Sequence, residues 1–586
     1  MLRSGVVPFV RWSAPPAVAA GILVAVLGAR SSAAAPPRAA PPVDATLELT
    51  AACEAGSTEP SALDIALSLP LRGRPVFRLD DEVFGSRGMA ALVSSATAVD
   101  ARGPLALTRR LTAGPTLELA AAREVTGTVT LRYRARSVPV ADDGARFGLR
   151  HDATGIGGVG GYFLALPESP GDYRVRVTWA PPACPAGTGG EGASTFGGAT
   201  AETTGGLDEL RAAAYFFGHP RVAAADDGDA RVRTAWFGEP ALDTAAAARW
   251  AARVFAAERA VFADDDPGAY SVFVRVLPEL GARSNGVGQP RSLVLAIGPA
   301  IGFGPRLRTN LAHEMLHRWL GHTLRLAGSS FWLTEGFTVH YAAVVMQRAG
   351  LSTPDELLAE LNVTATRQFA NEYAGASNDE IRRGFFASDA LSLVPYTRGA
   401  LYAAELDGAI RRASHGLRSL DDALRALVRE ARAAPGRDGL PPEAFRRMVV
   451  RELGAAGARR FDAVIERGAR PEPPDDAFGP CFTRRPRTVA VYQLGFDDRR
   501  SLVAPRAIRG LVAGSAAARA GLVEGDRLLA LEPSFLDPDH EAAVTVERAG
   551  QPVVVRYLPA RPGPRRDGFE WVRVAGVPDA RCVPPG

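Results

Sequence analysis

Lysine is missing from the chain, so its 68 basic residues are all arginine. Set against 64 aspartates and glutamates, they leave a net charge of only +4 over 586 residues. The abundance of Ala, Gly, Pro and Arg reads as a coding bias. No basic stripe with interleaved aromatics accompanies the arginines, so nucleic acid is not an expected partner. Cysteine is scarce, with four residues and no CxxC pair, which argues against a cysteine-ligated zinc site. Nor is there an apolar run of the ~18 residues that span a bilayer comfortably. Apolar residues as such are not lacking. At 47% hydrophobic and 23% charged the composition is that of folded domains and excludes general disorder.

The length exceeds one compact core and suggests roughly three to four domains. At the start, Arg3 and Arg11 flank the approach to an apolar run, Ala17 to Gly28, followed by the small residues Ser31-Ser32-Ala33-Ala34-Ala35. That order is a secretory signal, assigned to residues 1–35. It makes the mature chain periplasmic or secreted, with no membrane span; an uncleaved N-terminal anchor is the alternative. An even cysteine count in an exported chain suits two disulfides, Cys53 with Cys184 and Cys481 with Cys582. Four unpaired thiols are the other reading.

From Val43 to Pro181 the chain shows period-two strands, among them Ala45–Leu49, Val125–Tyr133 and Tyr173–Trp179, which predict a β-sandwich-like domain over 43–181. Gly155 to Gly160 formally matches GxGxxG. A strand-like segment, Gly161 to Leu166, follows where a dinucleotide site needs a helix, so a turn is expected. Gly187 to Gly206 reads as a solvated linker. From about Leu207 to Arg470 helices dominate: amphipathic Thr244–Phe262, then segments near Arg308–Leu320, Leu333–Arg348, Tyr396–Ala413 and Leu420–Ala433. Tyr270–Val276 and Ser292–Ala296 are buried-type strands. Pro471 to Pro474 closes the region, and a small β-rich module follows.

The chemistry concentrates at His313-Glu314-Met315-Leu316-His317. Residues four apart share a helix face, so both imidazoles can reach one ion, with Glu314 beside it. A catalytic zinc keeps three protein ligands and an open position. Glu335, at the start of the next helical stretch, is the natural third ligand. A bare HExxH also occurs on ordinary helices; the trailing acid separates this case from those. His322 points off the ligand face, as a surface residue or one behind the ligands. His340 would have to displace a ligand. His151, His219, His415 and His540 show no pattern.

Taken together, Leu311-Ala312-His313-Glu314-Met315-Leu316-His317-Arg318-Trp319, Trp332-Leu333-Thr334-Glu335-Gly336-Phe337-Thr338 and Pro395-Tyr396-Thr397-Arg398-Gly399-Ala400 resemble the glycyl-aminopeptidase family of gluzincin metallopeptidases. That family carries HExxHxW, an EGFT segment and a PY-x-(K/R)-GA helix. The likeness runs over about Val43 to Pro559 and is dense from Tyr270 to Leu427. It implies a multidomain α+β protein: an N-terminal β domain, a thermolysin-like catalytic domain over 207–350, a helical domain over 351–470, a C-terminal PDZ domain over 484–562 and a tail over 563–586. It also implies one catalytic Zn2+ on His313, His317 and Glu335, Glu314 as general base, and the Tyr396 hydroxyl at the developing oxyanion, with a buried core tyrosine as the alternative.

The PDZ expectation stands on Tyr492-Gln493-Leu494-Gly495-Phe496, which resembles the loop whose backbone N–H groups capture a peptide C-terminal carboxylate. Leu494, Gly495 and Phe496 are the candidate residues. Whether the module binds peptide tails or only packs on the peptidase is left open. Partners are therefore peptide or protein substrates, with peptide C-termini as further candidates. An exported scaffold of weak catalysis acting through its PDZ domain is the alternative function.

The resemblance departs in one loop. The family places an acidic residue there to hold a substrate's N-terminal ammonium; Asn285-Gly286-Val287-Gly288-Gln289-Pro290-Arg291-Ser292 puts Gly288 at that position. Leu320 also stands where the family has Asn, and the loop to Glu335 is short. Aminopeptidase action, altered specificity and endopeptidase action all remain open on the sequence.

Overall fold

Leucines at every second position draw the N-terminal strands into sheets. The computed structural model describes residues 41–586 apart from 84–85, 139–146, 186–188, 225–227, 230, 329, 387, 434–438, 503–504 and 533–535. The expected signal segment or anchor lies outside the described residues. The first sheet has seven strands, in the order Thr200–Gly205, Tyr173–Trp179, Val43–Cys53, Pro60–Gly73, Val125–Arg136, Val93–Asp100 and Gly103–Leu105. Leu47 sits opposite Leu67 on one side and Val177 on the other, and all three are buried. Two four-stranded sheets complete this region around a shared core.

Two sequence expectations fail here. The stretch read as a solvated linker forms strands Glu191–Ser194 and Thr200–Gly205. Its Gly, Thr and Ala residues carry no apolar alternation, so only pairing reveals the strands. Gly192 is needed for packing: a Cβ there would come within 2.0 Å of the Trp179 ring. The GxGxxG stretch is a buried strand, Gly155–Val159, and a 3-10 turn, Gly160–Tyr162, instead of a flexible loop. Only Leu166–Pro167 of the following segment is strand. A Cβ on Gly157 would meet the Phe216 ring at 2.2 Å, so the glycines serve close contact between strands.

The next sheet has five strands, β1 (Arg221–Ala224), β2 (Val232–Phe237), β3 (Tyr270–Val276), β4 (Ser284–Gly288) and β5 (Ser292–Ile297), in the order β1-β2-β3-β5-β4. β2, β3 and β5 run parallel; β4 is an antiparallel edge strand. Both faces are covered, which explains the unbroken apolar runs. Phe273 and Phe237 face the N-terminal sheets, where Phe216 stacks on them at 4.9 and 4.7 Å. Val272, Val274, Leu293 and Leu295 face the helices. Arg275, buried in β3, is accommodated by Asp152 at 2.8–2.9 Å and by the carbonyls of Arg150, Gly155 and Gly157.

Four helices frame the site: α1 (Thr244–Phe262), α2 (Pro305–Leu316), α3 (Thr338–Arg348) and α4 (Asp389–Ala413). Asp243 caps α1 by accepting the Ala246 N–H, and Trp250, Val254, Phe255 and Phe262 bury its inner face. α2 begins earlier than the sequence suggested because Pro305 occupies its first turn, and it ends at Leu316 instead of Leu320. Beyond α4, helices Leu420–Ala433 and Glu443–Phe461 close the same core. Towards the C-terminus, Phe482–Val489 pairs with Arg566–Arg573. A three-stranded sheet (Arg527–Glu532, Ala542–Arg548, Gln551–Tyr557) covers a separate small core. The whole is a multidomain α+β arrangement. Both disulfides form, Cys53–Cys184 and Cys481–Cys582. Among the described residues no helix is long and apolar enough to cross a membrane.

Candidate active site

α2 delivers His313 and Glu314, and its C-cap delivers His317. The helix stops there because the chain turns through Arg318–Leu320 into Gly321, whose φ of 125° suits glycine. Trp319, fully buried, anchors the turn by donating its indole N–H to Asp264 at 2.8 Å. Asp264 also holds Arg318 at 3.1 Å and Arg432 at 2.7 Å, so one buried carboxylate fastens the end of α2 to α1's exit and a later helix.

Glu335 lies on a π-helical turn, Trp332–Phe337, that runs into α3. Such turns widen a helix locally and recur at functional sites. α4 crosses this turn with almost no gap: a Cβ on Gly336 would stand 2.4 Å from the Gly399 Cα and 2.5 Å from the Pro395 carbonyl. That close crossing brings Tyr396 over the site.

The structure gathers all five residues. His313 Nε2 and His317 Nε2 lie 3.5 and 3.6 Å from Glu335 Oε2. Ligand atoms of the three residues all fall within 4.8 Å of one another, and they are the one such group of His, Cys, Asp and Glu among the described residues. These separations exceed the ordinary ~2.7–3.2 Å of an N–H···O bond. They match the roughly 3.3 Å between ligands that ~2.0–2.1 Å bonds to a tetrahedral zinc produce. The tautomer agrees. His317 gives its Nδ1–H to the Leu320 carbonyl at 3.0 Å, which turns Nε2 towards the carboxylate. Two imidazoles and a carboxylate converging at these separations fit zinc.

Burial raises the Glu335 carboxyl, but the imidazoles of His317 and His313 and the Tyr396 hydroxyl outweigh it and bring it to about 2. Glu314 behaves oppositely. Burial pushes its carboxyl up to about 7, helped by the nearby Glu335 charge, against the pull of His317 and the Gly288 N–H. That N–H donates to Glu314 Oε2 at 2.7 Å. The Tyr396 ring lies parallel to that of His313, centroids 6.1 Å apart, and burial raises its phenol well above 10.

His322, expected off the ligand face, is half-buried and donates from Nε2 to the Gly288 carbonyl at 3.0 Å; desolvation lowers it to about 4. His340 is buried in α3 against Tyr341 and Phe478 and takes no part in the metal group. Leu494 and Phe496 belong to the separate C-terminal core. Sequence reasoning missed the work of Gly288 and the Asp264 hub. Alternating glycines before Ser292 were the signal for the first; nothing in Asp264-Asp265-Asp266 distinguishes the residue that is wholly enclosed.

The His313, His317 and Glu335 group, taken with the family match over the residues that hold it, makes the chain a zinc metallopeptidase. Residues 306–384, which hold His313, Glu314, His317 and Glu335, match the model of the M61 glycyl aminopeptidases. Among solved structures, an aminopeptidase N family protein from Idiomarina loihiensis is 13% identical, with 90% of this chain and 98% of that one covered and a TM-score of 0.64. A variant of an M1 zinc metallopeptidase from Deinococcus radiodurans, bound to a Tyr-Ser-Ala substrate, is 18% identical. There 74% of this chain and 96% of that one are covered, at a TM-score of 0.46. The first of these carries the likeness of fold. No curated protein sequence matches the chain.

Proposed function

We propose that the chain is an exported peptidase that hydrolyses peptide bonds with one zinc ion held by His313, His317 and Glu335. Zinc there supplies a Lewis acid that polarises the scissile carbonyl and acidifies the attacking water. Glu314 takes a proton from that water and returns it to the leaving amine. A carboxyl raised to about 7 suits both directions of transfer near neutral pH. Tyr396, held protonated by burial, donates its O–H to the oxyanion that develops on the carbonyl. The observation that carries this reading is the convergence of two imidazoles and Glu335 with Glu314 hydrogen-bonded alongside. A scaffold without catalysis finds no support in so complete a set.

The test is Glu314→Gln. It should keep one zinc per chain by metal analysis while kcat falls roughly 10²–10⁴-fold. Wild-type turnover, or loss of the metal, would sink the assignment. Chelation should abolish activity, and added zinc should restore it.

The domain layout expected from the sequence, with its β domain over 43–181, catalytic domain over 207–350, helical domain over 351–470 and PDZ domain over 484–562, is part of the proposal. In the PDZ part, Leu494 and Phe496 pack with Ile508, Leu522, Val544 and Val546. The Leu494 carbonyl accepts from Tyr557 and the Gly495 carbonyl from Val512. By the loop's resemblance, the N–H groups of Leu494, Gly495 and Phe496 are the ones that would capture a peptide carboxylate. Export rests on the N-terminal signal pattern and on the two disulfides, which belong in an oxidising compartment.

A further inference from the structure

Backbone, not side chain, forms the wall of the site next to Glu314. β4 is the edge strand of its sheet, and Gly286 and Gly288 face α2. A Cβ on Gly286 would stand 2.3 Å from the Glu314 side chain. One on Gly288 would stand 2.1 Å from the Glu314 carbonyl oxygen and 2.8 Å from His317 Cβ. The strand therefore lies at a depth that only glycine allows. Gly288 is held there from two directions, its N–H on Glu314 at 2.7 Å and its carbonyl under His322 at 3.0 Å.

A peptide cut at its first bond brings a free ammonium with it. That nitrogen lies about 2.5 Å from the carbonyl carbon under attack, from the standard N–Cα and Cα–C lengths and their angle. Taking the charge out of water without a partner is costly, so a site that selects free N-termini must aim an uncommitted carboxylate at that nitrogen. Here Glu335 faces His313 and His317, and Glu314 accepts from Gly288 and serves as the proposed base. Both carboxylates are thus committed, and the strand and turn beside Glu314, Ser284 to Ser292, carry no acidic residue. Apart from Gly288, whose N–H and C=O are taken by Glu314 and His322, the wall offers the backbone of a sheet-edge strand. An extended chain can pair with such an edge on both sides of a scissile bond.

We infer that the site recognises peptide backbone and has no anionic clamp for a free N-terminus, so that its substrates are chains cut at internal bonds. This rests on the proposed peptidase activity. Matched peptides, one with a free N-terminus and one acetylated, test it on the zinc-loaded full chain, with cut sites mapped by mass spectrometry. Acetylation should change kcat/KM by less than about threefold, and cuts should fall inside both peptides. Stepwise release of single N-terminal residues, or a more than tenfold loss on acetylation, would overturn the inference. A binding arm keeps it separate from the peptidase reading. Zinc-loaded Tyr396→Phe, which retains both carboxylates, should bind the two peptides with equal Kd by calorimetry. If neither peptide is cut, the peptidase reading falls, and the binding arm still decides. Equal Kd supports the neutral wall; tenfold tighter binding of the free amine refutes it.

Discussion

Tyr396 lies close enough to the Glu335 carboxylate to influence it, and its ring runs parallel to that of His313 with centroids 6.1 Å apart. Burial holds its phenol well above 10, which makes it a proton donor near neutral pH. Tyr396→Phe should therefore lower kcat by about 10²-fold with KM and melting temperature nearly unchanged, in line with the loss of one oxyanion donor. A purely packing role would show the reverse: intact kcat and a lower melting point. At this scale the sequence was legible wherever spacing carries the chemistry. His313 and His317 are one helical turn apart, and Glu335 follows at the head of the next helix. It was illegible where the role belongs to backbone. Gly288 acts through its N–H and its lack of a Cβ, and His322 acts on Gly288; neither fact has a spacing rule.

At the scale of elements, amphipathic helices read well: Thr244–Phe262 and Leu420–Ala433 were expected with the ends observed, since their apolar period is unbroken. The strands at 191–194 and 200–205 did not, because glycine and threonine show no face until a partner strand supplies one. The π-helical turn at Glu335 is likewise a product of tertiary contact, set by the crossing of Gly336 on Gly399. Gly399→Ala would place a Cβ 2.3 Å from the Trp332 carbonyl oxygen and 2.8 Å from the Gly336 Cα. We expect a loss of about 1–3 kcal/mol in denaturant unfolding, together with weaker zinc binding. Gly375→Ala, with nothing within 4 Å of its Cβ position, is the control and should be silent.

α3 adds a pH dependence. Burial lowers His340 to about 3, so the folded chain keeps it neutral while the unfolded chain protonates it near 6.5. The unfolded state binds the extra proton between those values. Stability from this group is therefore whole above pH 6.5 and drains as pH falls towards 3, by up to ~1.4 kcal/mol per pH unit. His340→Leu should lose less stability than wild type between pH 7 and pH 5 in urea titrations; parallel losses would refute the assignment.

At the scale of the molecule, composition and alternation gave the class of fold, β-rich then helical then β-rich. They could not give the seam between its parts. That seam is aromatic and ionic together: Phe216 lies against Phe237 and Phe273, while Arg275 reaches across to Asp152 and Arg150 to Glu279. The catalytic sheet thus borrows one of its two covers from the N-terminal strands. Scanning calorimetry should show these two regions melting in one transition, and a chain begun at residue 219 should aggregate. The boundary that looks natural in the sequence is then a poor place to cut. A laboratory wanting the smallest active fragment must carry the whole β region along, and a protease that nicks that region would disable the enzyme without ever reaching its metal.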